Sequence, residues 1–349
     1  MREMEGCHES NWRSGTTALV AIESRGGAPT SQSLELISAA ARSGLPRQAY
    51  VVAVSLHRLS DAGQDMLRAR GCTHLLVPVH VISPSVHEPD GWTDFLSHLL
   101  TKCERALAML PHTLLGNEVG ARVAFRLGCP VVMNCETIGF SGDDVTASRA
   151  CFGGRLKEEV QVQAPLTVVT IAANASFPAE PGNVRALDGR WIVEAVERRF
   201  TDGPGMVECV RREVEAETLG PSLETANVVV GGGRGLGGPQ GFAELRTLAA
   251  QLGGAAGASR VACELGWCPK SWQIGLSGRS IRADWYIAFG ISGASHHMAG
   301  CARAANLVAI NSDASAEIFR HAAYGVVGDA RSVLQELVRL LDGVEPAEQ

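Results

Sequence analysis

Residues 227–238 read Asn227-Val-Val-Val-Gly-Gly-Gly-Arg-Gly-Leu-Gly-Gly238, an apolar β-type run that is followed at once by a glycine-rich loop. Within the loop, Gly233-x-Gly235-x-x-Gly238 matches the glycine pattern of dinucleotide-binding folds. A helix is predicted next, because apolar residues recur on one face at Phe242, Leu245, Ala249 and Leu252. Strand, loop and helix in this order let backbone N–H groups approach a phosphate. The stretch therefore predicts a nucleotide-binding α/β unit, with a tight turn that binds no ligand as the alternative.

The acidic residue that usually accompanies this glycine pattern is missing from the sequence. A nicotinamide-binding fold places an acidic residue about 20 positions further on, where it bonds the ribose. Glu264 lies too far along the chain for that role. The sequence thus argues against an ordinary nicotinamide site.

Polar or glycine residues follow each later apolar run. In an open parallel sheet the carboxyl ends of the strands face one crevice, where ligands bind. These segments therefore predict one ligand site. They are Ser259-Arg260, Gln273–Gly278, Gly290–Gly300, Asn311–Asp313 and Tyr324–Asp329.

The first half of the chain also alternates strands and helices, which predicts a parallel sheet. Strands are expected at Ala18–Ile22, Val51–Leu56, Leu75–Val79, Pro130–Asn134 and Pro165–Ile171. Pro111–Gly116 is interpreted as strand and loop, followed by a helix over Val119–Leu127. Its histidines are scattered without metal-ligand spacing, and no nucleophile or general base is evident, so we predict a scaffold with no metal and no catalytic residue.

Composition limits the function classes. The chain is 46% hydrophobic and 19% charged, with a net charge of −6, which excludes a generally basic surface for nucleic acid. The ten cysteines include no C-x-x-C pair and are expected to be reduced thiols in small core sites. The N-terminal stretch has no apolar core of a signal peptide, and the longest apolar run, Trp285–Ala294, is too short to span a bilayer. A cytoplasmic protein without membrane insertion is expected.

The run from Val228 to Leu341 resembles the FAD-binding domain of the electron transfer flavoprotein α subunit, the FixB family. The shared motifs are GGRGL, SR, Q-x-G-x-(S/T)-G, GISGA-x-x-H, AIN-x-D and YG-x-V-x-D. The first half is similar less specifically, through Leu114–Gly116, Phe152–Gly154 and Pro165–Val169. The resemblance implies an α/β fold with two parts, an N-terminal parallel-sheet domain that is the platform for a β subunit and a C-terminal doubly wound, Rossmann-like FAD-binding domain. We divide the chain into an extension (1–15), the first domain (16–196), a charged connector (197–226) and the FAD-binding domain (227–349).

The resemblance also implies roles for individual residues. Arg260 would lie over the flavin ring, Ser277 would bond flavin N5 and His297 would approach flavin O2. Two positions depart from the family pattern: Leu276 and His296 stand where glutamine is common, which changes the surroundings of the flavin. The full set of expected FAD-binding residues is Arg234, Gly235, Ser259, Arg260, Gln273, Gly275, Ser277, Gly278, Gly290, Ser292, Gly293, Ala294, His296, His297, Asn311 and Asp329.

The resemblance implies an electron carrier rather than a substrate-converting enzyme. Its partners would be an electron transfer flavoprotein β subunit, an acyl-CoA dehydrogenase-type donor, and a membrane quinone reductase or another acceptor. Three alternatives stay open: an electron-bifurcating subunit that uses NADH, an NAD(P)-dependent dehydrogenase, and a module that holds a nucleotide without redox chemistry.

Overall fold

A computed structural model describes residues 11–43, 45, 49–80, 87–151, 156–172, 175, 191–197, 207, 209–211, 221–223 and 225–342. The chain divides into two compact units, Met1–Glu213 and Val214–Gln349. Much of the predicted extension and connector lies outside the described residues. The four-part division of the chain therefore stays a prediction.

The first unit is built on a seven-stranded sheet in which all neighbouring strands run parallel, as the alternating pattern predicts. The strands follow the order β12-β5-β4-β1-β6-β11-β7 across the sheet. Their bounds are β1 Thr16–Ala21, β4 Tyr50–Val54, β5 His74–Pro78, β6 Arg105–Pro111, β7 Val131–Cys135, β11 Leu166–Ile171 and β12 Ile192–Val196, and a small hairpin pairs β2 Ser24–Arg25 with β3 Ala28–Pro29.

Helices cover both faces of this sheet, because the strands are apolar on both sides and each face buries its own core. The helices are α1 Ser31–Arg42, α2 Asp61–Arg68, α3 Glu88–Leu100 and α4 Leu114–Leu127. The α4 helix begins earlier than the predicted Val119, because Thr113 caps it by accepting a hydrogen bond from the Gly116 amide at 2.9 Å. The interpretation of Leu114–Gly116 as loop is therefore wrong.

A second, antiparallel sheet in the first unit was not foreseen. It joins β8 Thr137–Ser141, β9 Asp144–Cys151 and β10 Leu156–Val162 in the order β10-β9-β8. The side chains of β10 alternate between half-buried and exposed over most of the strand, as in a sheet with one solvated face.

The second unit is a five-stranded parallel sheet in the order β14-β13-β15-β16-β17. Numbered from its first strand this order is 2-1-3-4-5, a doubly wound arrangement with a switch point between β13 and β15. The elements are β13 Val228–Gly232, α5 Pro239–Gln251, β14 Ala255–Ala258, α6 Arg260–Glu264, β15 Trp285–Phe289, α7 Ser295–Cys301, β16 Asn306–Asn311, β17 Tyr324–Val327 and α8 Ala330–Leu341. Two apolar clusters lie in this unit, and the predicted α/β fold class is confirmed.

No helix within the described ranges has the length and apolar character needed to cross a membrane.

Candidate functional site

The loops that follow β13 and β15 meet at the switch point through their backbones. The Gly233 amide donates to the Phe289 carbonyl at 2.8 Å, and the Gly235 amide donates to the Gly290 carbonyl at 3.1 Å. A side chain on Gly233 would place its Cβ 2.2 Å from the Gly290 oxygen, and one on Gly235 would meet the Gly290 Cα at 2.7 Å. The first two glycines of the pattern are thus required by loop packing.

The same loop leads into α5 without any side chain over the helix terminus. Gly238 is the N-cap residue and makes no side-chain cap hydrogen bond, and Pro239 begins the helix. Leu236 is fully buried and anchors the loop, while Arg234 is exposed beside it. This edge of the sheet therefore presents glycine backbone and one guanidinium.

The neighbouring strand β14 ends at the predicted pair Ser259 and Arg260. The Ser259 amide donates to the Gly232 carbonyl at 2.9 Å, which fixes the start of α6 beside the glycine loop. Arg260 is largely exposed and its Nε lies 2.6 Å from Oε1 of Glu264, one helical turn away. An exposed pair of this kind holds the guanidinium loosely, so it can turn toward an anionic ligand.

The segment from Gln273 to Gly278 is bonded to both adjacent loops. The Ile274 amide donates to the Ala258 carbonyl at 2.9 Å, and the Leu276 amide donates to the His296 carbonyl at 2.7 Å. Gln273 Nε2 donates to the Ser277 hydroxyl at 3.0 Å, which orients that exposed hydroxyl. Leu276 is 67% exposed, so the described residues leave most of its apolar side chain uncovered.

The loop after β15 turns tightly and then enters α7. Gly290 and Gly293 have φ angles of +63° and +85°, which favour glycine. The Ile318 amide donates to the Ser292 carbonyl at 3.1 Å and thereby fixes the position of the loop. Ser292, Ala294 and His296 are exposed along it.

His297 lies inside the protein. Its Nδ1 is 3.1 Å from the Ile274 carbonyl and its Nε2 is 2.8 Å from the Tyr286 hydroxyl. Because a carbonyl oxygen only accepts, Nδ1 carries the proton and Nε2 accepts from the tyrosine. Burial lowers the pKa of His297 to about 4, so the ring is neutral at pH 7. Both nitrogens are engaged by protein atoms, and the approach of His297 to flavin O2 stays a prediction.

Sequence reasoning missed Tyr286, which is completely buried. A signal was present, because a tyrosine inside an apolar strand needs a partner for its hydroxyl. Identifying the partner requires the fold, which brings β15 against α7.

Asn311 and Asp329 bond protein groups at the strand ends of β16 and β17. Asn311 Nδ2 donates to the Ile291 carbonyl at 2.9 Å. Asp329 caps α8 by accepting from the Ser332 amide at 2.8 Å, and the Ser332 hydroxyl holds the pKa of this carboxyl below its usual range. The structure gives both residues a role in loop geometry, and their predicted contact with the adenosine half is untested.

All of the predicted site residues belong to the second unit, at strand ends of its parallel sheet or in segments bonded to them. The exposed donor groups are two guanidiniums, two serine hydroxyls and a histidine ring: Arg234, Arg260, Ser277, Ser292 and His296. The Asp329 carboxylate is exposed as well. Such donors suit a ligand with anionic phosphates and an electron-accepting ring. Within the described ranges, no three His, Cys, Asp or Glu residues are grouped as a metal site would require.

Comparison with known families gives two matches. Residues 222–302 match the family described as the electron transfer flavoprotein FAD-binding domain, and residues 18–189 match the electron transfer flavoprotein domain.

Individual relatives agree with both matches. The chain is 32% identical over 337 residues to an electron transfer flavoprotein subunit alpha of Mycobacterium leprae, covering 94% of this chain and 98% of the relative. It is 34% identical over 253 residues to the subunit alpha of Bacillus subtilis, covering 72% and 74% of the two chains. It is 39% identical over 227 residues to that of Paracoccus denitrificans, covering 65% and 70%.

Proposed function

The chain belongs to the electron transfer flavoprotein α-subunit family, and from that premise we propose that it holds FAD at the carboxyl edge of the second sheet. Membership confirms the family prediction and the function of an electron transfer flavoprotein subunit with a flavin-binding domain. It also implies a heterodimer with a β subunit. The identity of the flavin as FAD and the residues that hold it are our proposal.

One observation carries the assignment of the site. Exposed donors from four separate loops belong to one sheet edge, beside Gly237 and Gly238, where a Cβ would have no atom within 4 Å. Arg234 and the amides after it would bind the diphosphate. Ser292, Gly293 and Ala294 would bind the ribityl chain, and Asn311 and Asp329 would position the adenosine half.

The groups near the ring would be Ser259, Arg260, Ser277 and the two histidines. When bound, FAD supplies an isoalloxazine ring that takes up and returns electrons. The Arg260 guanidinium favours negative charge near it, because a fixed cation stabilises charge gained on electron uptake. Gln273 holds the Ser277 hydroxyl in place. His297 supports the same loop through Ile274 and keeps its proton on Nδ1.

We propose that the chain relays electrons from an acyl-CoA dehydrogenase-type flavoenzyme to a quinone reductase or similar acceptor. The absence of a recognisable nucleophile or general base in the sequence suits a carrier, in which the protein sets the potential and exposure of the ring. A bifurcating subunit that works with NADH is the second candidate. A relative named Protein FixB, from Clostridium saccharobutylicum, is 32% identical over 258 residues.

The structure reduces the support for the alternative of an NAD(P)-dependent dehydrogenase. Its main support was the glycine pattern, and two of those glycines have a packing cause in Gly290.

The test is to produce the chain together with a β subunit and to record the visible spectrum before and after reduction. We expect an oxidised flavin spectrum, with FAD identified after release and one equivalent bound at the site described. A second redox-active flavin per heterodimer would favour the bifurcating alternative. A colourless heterodimer that does not take up added FAD would overturn the proposal.

A further inference from the structure

Two cysteines near the proposed flavin site lie close enough to react with each other. The Sγ atoms of Cys263 and Cys268 are 3.6 Å apart, and both side chains are half-buried. A disulfide bond requires the sulfurs to approach by about 1.5 Å more. The sequence predicted reduced thiols in small core sites, because no C-x-x-C pair occurs.

The chain between them is shaped by a helix-ending motif. Gly266, with a φ of +71°, follows the end of α6, and its amide donates to the Cys263 carbonyl at 3.0 Å. The Trp267 amide donates to the Ala262 carbonyl at 3.1 Å. These two bonds define a Schellman motif, which reverses the chain after α6. Cys268 is thereby returned to Cys263 by backbone geometry.

The two thiols are not equivalent. The contact between the two sulfurs, in which either thiol can donate, lowers the pKa of Cys263 and raises the pKa of Cys268. Elsewhere burial raises the pKa of several thiols to about 12, namely Cys72, Cys103, Cys135 and Cys301. The pair is thus set apart from thiols that only fill space.

We propose that Cys263 and Cys268 form a dithiol centre that exchanges with low-molecular-weight disulfides and closes to an intrachain disulfide beside Arg260. The Cys263 thiolate attacks one sulfur of the small disulfide, forming a mixed disulfide and releasing one small thiolate. The Cys268 thiol then loses its proton and attacks the Cys263 sulfur, which releases the second small thiolate. The small disulfide gains the two electrons and two protons that the cysteines lose.

Closure of this disulfide acts on the helix that carries Arg260. Cys263 lies in the same short helix, and its Sγ is 3.5 Å from the Pro269 carbonyl, just before the segment that leads into Gln273. The bond would tie the end of α6 to the start of that segment. The geometry thus connects the thiol state to the two loops that flank the proposed flavin ring.

The test uses the full chain with its β subunit and oxidised glutathione as the probe. Peptide mapping of the treated wild-type protein should show a bond between Cys263 and Cys268, and dithiothreitol should restore both thiols. Cys268→Ser should retain glutathione on Cys263. Cys263→Ser should form no intrachain disulfide at this site and should retain glutathione on Cys268. Cys129→Ser, at a half-buried thiol in the first unit, is the matched control and should react as wild type does.

Two results would overturn the proposal. One is that oxidised glutathione leaves both thiols free in the wild-type protein. The other is that the disulfide in the treated wild-type protein joins a different pair of cysteines. The wild-type peptide map needs no substitution, so it decides the matter even if a variant fails to fold.

Discussion

In the first unit the loops at the switch point of the parallel sheet bond to each other through side chains, whereas in the second unit they meet through glycine backbone. After β1 and β6, the Thr113 hydroxyl donates to Glu23 Oε1 at 2.5 Å, and the Glu23 amide donates to the Ser33 hydroxyl at 2.9 Å. After β13 and β15, the facing residues are Gly233 and Gly290.

The helix termini differ in the same way. In the first unit α4 is capped by Thr113, whose hydroxyl occupies the place where a phosphate could approach. In the second unit α5 begins after Gly238 with no side-chain cap. The same architecture thus has its own side chains at the switch point of the first unit and open space at Gly237 and Gly238 in the second unit, where we propose that the ligand binds.

The largest effect should come from filling the glycine contacts. Gly233→Ala and Gly116→Ala each place a Cβ against a carbonyl oxygen, at 2.2 Å from Gly290 and 1.9 Å from Pro111. Each should lower the free energy of unfolding by about 2–3 kcal/mol, measured by urea denaturation. Only Gly233→Ala should also weaken FAD binding, by at least about tenfold, since it displaces the loop at the site. Equal FAD affinity of the two variants would break the comparison.

Acid should destabilise the second unit through His297. Its pKa is about 4 in the folded chain and 6.5 as the ordinary value, so between these values only the unfolded chain gains the proton. The contribution of His297 to the free energy of unfolding is therefore fully present above pH 6.5. It falls by about 3 kcal/mol as the pH drops to 4. His297→Gln should reduce the loss of unfolding free energy between pH 6.5 and pH 4. It should likewise reduce the pH dependence of flavin release over this range.

His74 of the first unit is the matched control for that experiment. It is also buried, and burial lowers its pKa as well. His74→Gln should alter the acid stability of the chain but leave the pH dependence of flavin release unchanged. Flavin release that follows His74 instead of His297 would contradict the account.

The helix caps should show a smaller difference. Thr113→Ala and Asp329→Ala each remove an N-cap side chain and should lower the free energy of unfolding by about 1 kcal/mol. We expect Asp329→Ala alone to weaken FAD binding. Asp329→Asn should keep the cap hydrogen bond while removing the negative charge. The FAD affinity of this variant therefore distinguishes a role of the carboxylate charge from a role of the helix cap.

The smallest effect should be electrostatic. Arg260 is exposed, so removing it should lower the flavin midpoint potential by only about 20–40 mV, equivalent to about 0.5–1 kcal/mol for one electron. Glu264→Gln should shift the potential upward, because it removes the opposite charge. Arg126→Ala, an exposed arginine in the first unit, should leave the potential unchanged. An unchanged potential in Arg260→Ala would remove the proposed role.

Sequence patterns predicted the strands and loops whose causes are local. The run Val228–Val230 and its glycine loop were recognisable because apolar strands and glycine turns are short-range features. Strand β14, Ala255–Ala258, was missed because alanine and glycine carry no β preference. The antiparallel sheet was missed although Gly142-Asp143, between the paired residues Ser141 and Asp144, is a two-residue turn of a kind typical of β-hairpins.

Contacts that depend on the path of the folded chain were beyond the sequence. The bond between Tyr286 and His297 requires the packing of β15 against α7. The pairing of Cys263 with Cys268 depends on the reversal at Gly266, which the spacing alone does not specify. The packing of Gly233 on Gly290 joins residues far apart in the chain, so the cause of the glycine pattern emerged only from the fold.

We propose that the flavin binds in the crevice of the second unit's parallel sheet and not in the crevice of the first unit's sheet. Hydrogen exchange measured by mass spectrometry on the heterodimer, with FAD bound and after its removal, tests this directly. We expect bound FAD to slow amide hydrogen exchange in residues 232–238, 258–260, 273–278 and 290–298. Exchange in residues 22–33 and 111–117 should not change. Protection confined to the first unit's loops, or an equal change in both sets, would contradict it.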